Sequence, residues 1–290
     1  MKEKMPKISV LMPIYNTNEE FLRGAIGSIL EQSFGDFEFL ILNDSPDNTR
    51  LDEIVASFKD PRIKYLKNDK NIGITPSRNK LLALARGEYI AVMDHDDVSL
   101  PERFQKQVDF LDNNPDYGVV GTKVKTIGGG IGILRNPNKN ENIKLALMRA
   151  CAIIHPVAMI RKSVLLNNNI SYEEAFTPAE DYSLFCRLSS CTKLHNLDEV
   201  LFLYRMHNTN ASKEQSAKIL DATQRIQAFM KLNNPELYEL YLAKARHKKT
   251  LRLFFIPILS IITQGNKTKI KLFDLLTIST IKSSIKMLKD

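Results

Sequence analysis

The stretch Tyr89–Asp97 reads Tyr-Ile-Ala-Val-Met-Asp-His-Asp-Asp. Its first five residues are long and apolar enough for a buried strand, and three carboxylates follow within four positions. Acids set so close together raise one another's pKa values unless a cation lies among them. Because oxygen ligands suit hard ions, Asp94, Asp96 and Asp97 together indicate Mg²⁺ or Mn²⁺ rather than Zn²⁺. The sequence therefore predicts a divalent metal, or a ligand held through one, where this strand ends.

Strand-like and helix-like patterns alternate over residues 1–122, which predicts an α/β fold with a mostly parallel, Rossmann-like sheet flanked by helices. The apolar runs place five strands in this order: Lys7–Met12, Phe37–Leu42, Ile63–Leu66, Tyr89–Met93 and Tyr117–Thr122. A capping box of Thr17 and Glu20 predicts the start of the first helix. Pro76 fits the first turn of a later helix, and Gly87 is predicted as the residue that ends it.

Polar residues follow three of these strands at the point where each strand ends. They are Tyr15 and Asn16, Asn43 and Asp44, and Asp94 to Asp97. Ligands of open α/β sheets bind beyond the carboxyl ends of the strands, so these residues are expected to converge on one crevice. No Gly-rich phosphate loop follows the first strand, which excludes a dinucleotide-binding fingerprint. The Gly-rich stretch 128–132 is interpreted as a hairpin turn or mobile loop.

The positive charge of the chain is concentrated at its C-terminal end. The net charge is +8 over 290 residues, but residues 243–290 contain eleven Lys or Arg and two Asp, so the remainder is close to neutral. The apolar run 251–262 is too short and too interrupted to span a bilayer, yet it suits an anchor lying on an anionic membrane. Two alternatives are a helix packed on the body of the protein and an interface in a homo-oligomer. Nucleic-acid binding is not expected, because the Lys and Arg of this segment lack an aromatic stacking platform or a known binding module, and the remainder of the chain is neutral.

The cysteines and the N-terminus both indicate a cytoplasmic protein. Cys151, Cys186 and Cys191 are odd in number and show no metal-ligand spacing, which fits a reducing compartment. The residues before the first strand are charged, and no signal peptide is expected there.

Several short motifs, taken in order, resemble the inverting nucleotide-sugar glycosyltransferases of family 2, which have the GT-A fold. The resemblance covers roughly residues 1–215 and rests on these segments: Pro13–Asn16, Ser28–Leu30, Gln32–Phe34, Asn43-Asp44, Asn71–Gly73, Ser77–Asn79, Asp94–Asp96, Glu180-Asp181 and Tyr204–His207. Two positions depart from the family pattern. Ser45-Pro46 stands where the family usually has Gly, which puts the base preference in question, and His95 is interpreted as a bystander.

The resemblance implies a role for each matching position. It assigns nucleotide binding to Pro13, Tyr15, Asn16, Asp44, Arg78 and Asp94, with Asp44 bonded to a uracil base and Asp94 to the ribose. It assigns the metal, Mn²⁺ or Mg²⁺, to Asp96 and His207, and the acceptor or diphosphate side to Asp97, His155, Glu180 and Arg205. Asp181 would be the general base. From its position alone, Asp181 could equally be a first-turn acid that stabilises a helix N-terminus.

The implied organisation has two parts. Residues 1–215 form a GT-A glycosyltransferase domain, with a nucleotide-binding half of about residues 1–100 and an acceptor half of about residues 101–215. Residues 216–290 form a basic, largely helical C-terminal extension. The implied function is metal-dependent, inverting transfer of a hexosyl or N-acetylhexosaminyl group from a UDP-sugar to a hydroxyl of a glycan or lipid-linked acceptor, in cell-surface polysaccharide synthesis at the inner face of the membrane. The alternatives are a nucleotidyltransferase acting on sugar phosphates and a non-enzymatic polyanion-binding protein.

Overall fold

The computed structural model describes residues 4–129, 132–207, 216–254, 259–264 and 267–272. They fall into two compact units, residues 1–238 and residues 239–290. The first unit contains nine strands: β1 (Ile8–Ile14), β2 (Phe37–Asn43), β3 (Ile63–Lys67), β4 (Tyr89–Val92), β5 (Val98–Ser99), β6 (Tyr117–Ile127), β7 (Ile133–Leu134), β8 (Met159–Arg161) and β9 (Lys193–Arg205). The described helices are α1 (Glu19–Leu30), α2 (Thr49–Ser57), α3 (Ile74–Leu84), α4 (Arg103–Asn113), α5 (Asn140–Leu147), α6 (Lys162–Asn167), α7 (Glu180–Cys191), α8 (Ser216–Asn233) and α9 (Pro235–Phe254).

One mixed sheet of nine strands organises the first unit. Its order is β3-β2-β1-β4-β8-β6-β9-β5, with β7 paired to β6. The strands β1 to β4 are mutually parallel, whereas β8 runs antiparallel to both β4 and β6. The chain order reverses at β1, since β2 lies on one side of it and β4 on the other. The predicted α/β fold with helices around a central sheet is confirmed.

The core lies on both faces of β1, β2 and β4, which explains their continuous apolar sequences. Every residue of these three strands is buried, as expected for strands covered by helices on both sides. Helix α8 adds to this unit, because Ala222, Ile226 and Met230 along one of its faces are fully buried. The compact unit therefore runs beyond residue 215, through α8.

Two predicted helix boundaries are wrong in detail. The cap of α1 is Asn18, whose side chain accepts a hydrogen bond from the Phe21 N–H, and not Thr17. Helix α3 ends at Leu84 with Ala85 as its cap, so Gly87 does not terminate it. Gly87 is instead required by close packing, because a Cβ there would overlap the Ser9 backbone nitrogen.

The second unit contains the greater part of α9 and a two-stranded antiparallel hairpin, β10 (Leu259–Gln264) and β11 (Lys267–Leu272). The sequence analysis did not predict this hairpin in the basic extension. The described helices include none that is both long and apolar enough to cross a bilayer.

In the first unit, the hairpin predicted around residues 128–132 is present, since β6 and β7 pair antiparallel on either side of it.

Candidate active site

The turns that follow β1 and β2 are joined to each other. Pro13 is buried within β1 beside Leu42 of β2, so it sets the path of the strand. Tyr15 is the first residue after β1, and its side chain is exposed. The following residue, Asn16, has a positive φ of 42°. The Asn16 N–H donates to Ser45 Oγ at 2.8 Å. The turns after β1 and β2 are thus joined by a direct hydrogen bond, whereas the sequence predicted only that they lie near each other.

Asp44 is buried, and its carboxylate is largely satisfied by the chain itself. Oδ1 accepts from Asn68 Nδ2 at 2.7 Å and from the Ile72 N–H at 2.9 Å. Oδ2 accepts from the N–H of Gly73 at 2.9 Å, and Gly73 has a φ of 91° that favours glycine. Asp44 therefore fixes the loop before α3. A carboxylate has about four acceptor positions, and the protein fills three of those of Asp44.

The three acids after β4 point in different directions. Asp94 is partly exposed and lies 3.5 Å from Arg78. Asp96 Oδ2 lies 2.7 Å from His207 Nε2. Asp97 is buried beneath the turn, where its Oδ1 accepts from the Arg205 N–H at 2.7 Å. Within the described ranges, no three His, Cys, Asp or Glu side chains gather around one point.

Two acids of this turn, Asp94 and Asp97, have raised pKa values. Burial raises the pKa of Asp94, and Asp96 adds to the rise while Arg78 opposes it. Burial raises the pKa of Asp97 well above its usual range, and the charges of Asp96 and Asp94 act in the same direction. Such shifts are typical of functional sites in clefts, although buried structural acids also show them.

Arg78 connects the acidic turn to the start of α7. Its guanidinium bonds Glu180 and faces Asp94, and it lies over the Tyr172 ring at 5.6 Å. Asn79 and Tyr172 exchange two hydrogen bonds, of 2.8 and 3.0 Å, which hold α3 against the segment before α7. Among the residues the structure describes, Arg78 Nε and Glu180 Oε2 are buried without a partner. Unpaired polar atoms at this point are what a ligand-binding site would leave open.

Asp181 follows Glu180 in the first turn of α7. Its Oδ1 accepts from the Tyr182 N–H at 2.7 Å. Burial raises the pKa of Asp181 to about 6, and the charge of Glu180 adds to the rise while that of Arg78 opposes it. A carboxylate with a pKa in this range can accept a proton near neutral pH and release it again.

Comparison with known proteins identifies the family to which this chain belongs. A sequence model described as "Glycosyl transferase family 2" matches residues 9–167, more than half of the chain. This chain belongs to glycosyl transferase family 2. An uncharacterized glycosyltransferase of Methanocaldococcus jannaschii is 35% identical over 210 residues, covering 70% of this chain and 72% of the relative. The O-antigen biosynthesis glycosyltransferase WbnJ of Escherichia coli is 32% identical over 233 residues, covering 77% and 89% respectively.

Solved structures give the same fold. S. aureus TarS 1–349, in complex with UDP-GlcNAc, matches with a TM-score of 0.66 at 21% identity, covering 78% of this chain and 67% of that one. In another TarS structure, this chain spans only 39% of the longer protein. The predicted glycosyltransferase class and GT-A fold are confirmed.

In this glycosyltransferase, Arg205 at the end of β9 and His207, two positions later, lie against the acidic turn. Arg205 Nε donates to the backbone carbonyl of Asp96 at 2.7 Å, and its guanidinium lies 4.3 Å from the centre of the Phe21 ring. The His207 ring lies 5.6 Å from the same Phe21 ring. Helix α1 thus supports both Arg205 and His207 through one aromatic side chain.

Asp96 and His207 suit the divalent metal that the family implies. A carboxylate oxygen and an imidazole nitrogen already lie in contact, and both are donors that Mn²⁺ accepts. Asp97 does not belong to this set, because its carboxylate is turned into the protein. Such an ion takes more ligands than these two donors, and the others would come from water or from a bound ligand.

In this glycosyltransferase, His155 lies in the protein interior beside Tyr172. The ring is buried, and Nε2 lies 2.9 Å from the Tyr172 hydroxyl. Burial, with Arg78 nearby, lowers the pKa of His155 well below its usual range. His155 therefore orients Tyr172, which in turn lies beneath Arg78.

Gln32 is a structural residue of the site whose role the sequence analysis missed. Its Nε2 donates to Ser99 Oγ at 3.1 Å and to the Leu100 carbonyl at 2.8 Å. Its Oε1 accepts from the Phe104 N–H at 3.0 Å. Gln32 thus anchors the chain that leaves the acidic turn, and only the family motif around it could have drawn attention to it.

Proposed function

We propose that this enzyme is a metal-dependent, inverting glycosyltransferase. It takes a sugar from a nucleotide-sugar, of which a UDP-sugar is the first candidate, and transfers it to a hydroxyl of a glycan or lipid-linked acceptor. The TarS complex with UDP-GlcNAc supports the choice of donor, and the name of WbnJ supports a place in the synthesis of a surface polysaccharide. The nucleotide would bind to the half formed by about residues 1–100. The acceptor would bind to the half formed by about residues 101–215.

One observation carries this proposal. Arg78 bonds Glu180 and faces Asp94, so an acid of the nucleotide half and the start of α7 are held against the same guanidinium. Asp181, the next residue, is thereby brought to the acidic turn although 87 positions separate Asp181 from Asp94 in the sequence. An inverting transfer needs a base on the side opposite the leaving group, because the acceptor hydroxyl attacks the anomeric carbon from that side and must lose its proton.

Each residue of the site then has a defined part in the reaction. Tyr15 and Asp44 would hold the base, and Asp94 the ribose. Asp181 would accept the proton of the acceptor hydroxyl as that oxygen attacks the anomeric carbon. A divalent ion bound at Asp96 and His207 would neutralise charge on the departing nucleoside diphosphate.

Glu180 and Arg78 would position the base. Glu180 raises the pKa of Asp181, and Arg78 lowers it. Burial is the largest cause of the raised pKa of Asp181, and these two charges adjust it in opposite directions.

The basic C-terminal segment supports a membrane-bound acceptor. Residues 243–290 contain eleven Lys or Arg and two Asp around the apolar run 251–262. Basic residues near an anionic surface contribute about 1 kcal/mol each. We therefore place the enzyme at the inner face of the cell membrane, where it would act on lipid-linked acceptors.

The test is a product assay with Mn²⁺ and a panel of UDP-hexoses and UDP-N-acetylhexosamines, with a lipid-linked oligosaccharide extract as acceptor. Release of UDP with sugar transferred to the lipid fraction is expected, and Asp181→Asn should abolish it without weakening UDP binding. Release of pyrophosphate would identify a nucleotidyltransferase instead. If Asp181→Asn lost UDP binding as well as transfer, the assignment of Asp181 as the base would be wrong.

A further inference from the structure

Ser45, which departs from the family pattern, lies at the junction of two turns at the edge of the site. Its side chain is buried, and its Oγ accepts from the Asn16 N–H at 2.8 Å. Ser45 is itself held firmly, because its N–H donates to Asn43 Oδ1 at 2.8 Å and its carbonyl accepts from the Asn48 N–H at 3.0 Å. The hydroxyl therefore projects from a rigid frame at the end of β2.

Asn16 needs such a support. Its φ of 42° lies in the left-handed region, which costs a residue with a Cβ about 1–2 kcal/mol. Asn tolerates this region better than most residues, but another contact must favour it over the ordinary conformations. The bond from the Asn16 N–H to Ser45 Oγ is that contact.

The turn held in this way carries an exposed aromatic ring. Tyr15 is 53% exposed although it directly follows a fully buried strand. The strand ends that carry Tyr15 and Asp44 are adjacent, because the Asp44 N–H donates to the Ile14 carbonyl at 2.9 Å. An exposed ring at this place is suited to stack on a flat heterocycle whose N–H groups face the end of β2. The Asn16 N–H belongs to the peptide group that follows Tyr15, so its bond to Ser45 Oγ also restrains the backbone that carries the Tyr15 ring.

We propose that Ser45 is a positioning residue for the nucleotide base: its hydroxyl holds the Tyr15–Asn16 turn in the left-handed conformation that places Tyr15 against the base. The inference rests on the proposed function, since it assumes that the nucleotide binds at this edge. It predicts that the base end of the ligand, and not its phosphates, senses a change at Ser45.

The experiment uses the full chain with Mn²⁺ and measures UDP and inorganic pyrophosphate binding by calorimetry. Loss of one hydrogen bond should weaken UDP binding about 5- to 10-fold in Ser45→Ala. Ser45→Thr keeps a hydroxyl and should stay within about twofold of the wild type. Pyrophosphate, which has no base, should bind Ser45→Ala and the wild type equally. Equal losses for both ligands would overturn the proposal.

A glycine at position 16 separates positioning from direct contact. Glycine adopts positive φ without a supporting bond. In an Asn16→Gly background, Ser45→Ala should therefore cost less than about twofold in UDP affinity, a clear departure from additivity. The same cost in both backgrounds would mean that Ser45 touches the base directly, and the positioning role would be wrong.

Amide hydrogen exchange of Asn16 gives a readout that needs no nucleotide. Its N–H should be protected in the wild type and in Ser45→Thr, and should exchange faster in Ser45→Ala. If the wild type bound no nucleoside diphosphate, the proposed function would fail and Ser45 could not position a base. The exchange result would then show only whether Ser45 holds the turn, so the two failures are distinguishable. Unchanged exchange in Ser45→Ala would overturn the inference by itself.

Discussion

Replacing Asp181 with Asn should remove activity and at the same time stabilise the protein. Burial and Glu180 raise the pKa of Asp181 from its ordinary value of 3.8 to about 6. A rise of this size corresponds to about 3 kcal/mol of unfavourable charge burial at neutral pH. Because the side chain is partly exposed, we expect Asn to recover a part of this, about 1–3 kcal/mol. Asn keeps the Oδ1 acceptor for the Tyr182 N–H, so the helix start should remain intact.

The pH dependence of this effect has a definite sign. The folded protein holds the Asp181 proton more tightly than the unfolded chain does, so the wild type loses stability as pH rises through about 6. The Asn variant lacks this titration. Its melting temperature should match that of the wild type near pH 4 and exceed it at pH 7, by about 2–4 °C per kcal/mol.

Activity should follow the opposite trend. A general base works only when ionised, so wild-type turnover should rise with pH and reach half of its plateau near pH 6. Asp181→Asn should lower turnover about 10²- to 10⁴-fold. Calorimetric melting and UDP release, each measured from pH 4 to pH 8, test both trends, with the exposed Asp198→Asn as the matched control. A variant that is less stable at pH 7, or that keeps a tenth of the activity, would refute the reasoning.

Three further predictions concern the fold and the basic segment. Gly87→Ala should destabilise the protein by about 2 kcal/mol or more in urea unfolding, because the new Cβ overlaps Ser9. Gly24→Ala is its control: a Cβ there meets nothing, and the helix should gain about 0.5–1 kcal/mol, so equal effects would contradict the packing argument. Gln32→Ala should lower the free energy of unfolding by about 2–4 kcal/mol in the same measurement, because it removes the side chain that anchors the segment after the acidic turn. A loss below about 1 kcal/mol would argue against that role. Because residues 243–290 are basic, the full chain should sediment with anionic vesicles at low salt and be released at high salt, whereas equal binding to neutral vesicles would count against the membrane proposal.

The strands of the first half could be predicted from the sequence because burial leaves a direct record in it. Strands β1, β2 and β4 are buried on both faces, so each is a continuous apolar run, and the predicted boundaries differ from the observed ones by two residues at most. Strand β8 has three residues, and its antiparallel pairing with β4 depends on a return of the chain from far away. No local pattern encodes such a pairing.

The candidate site could be predicted as a set of residue types, but not as a set of contacts. The acids after β4 indicated a charged site, yet their sequence does not say that Asp97 turns inward to the Arg205 N–H. The bond from Arg78 to Glu180 joins residues 102 positions apart and was equally hidden. The roles of Tyr172 and Gln32 were not predicted, because neutral side chains that support a site carry no charge pattern in the sequence.

The central claim is that this glycosyltransferase binds a nucleoside diphosphate through a divalent ion held at Asp96. It is tested most directly by titration calorimetry of UDP, with Mn²⁺ and with EDTA, on the wild type, on Asp96→Ala and on the exposed control Asp116→Ala. We predict that Mn²⁺ strengthens UDP binding at least about tenfold in the wild type and the control, and that Asp96→Ala loses this gain. UDP binding that is indifferent to Mn²⁺, or equally strong in Asp96→Ala, would contradict the claim.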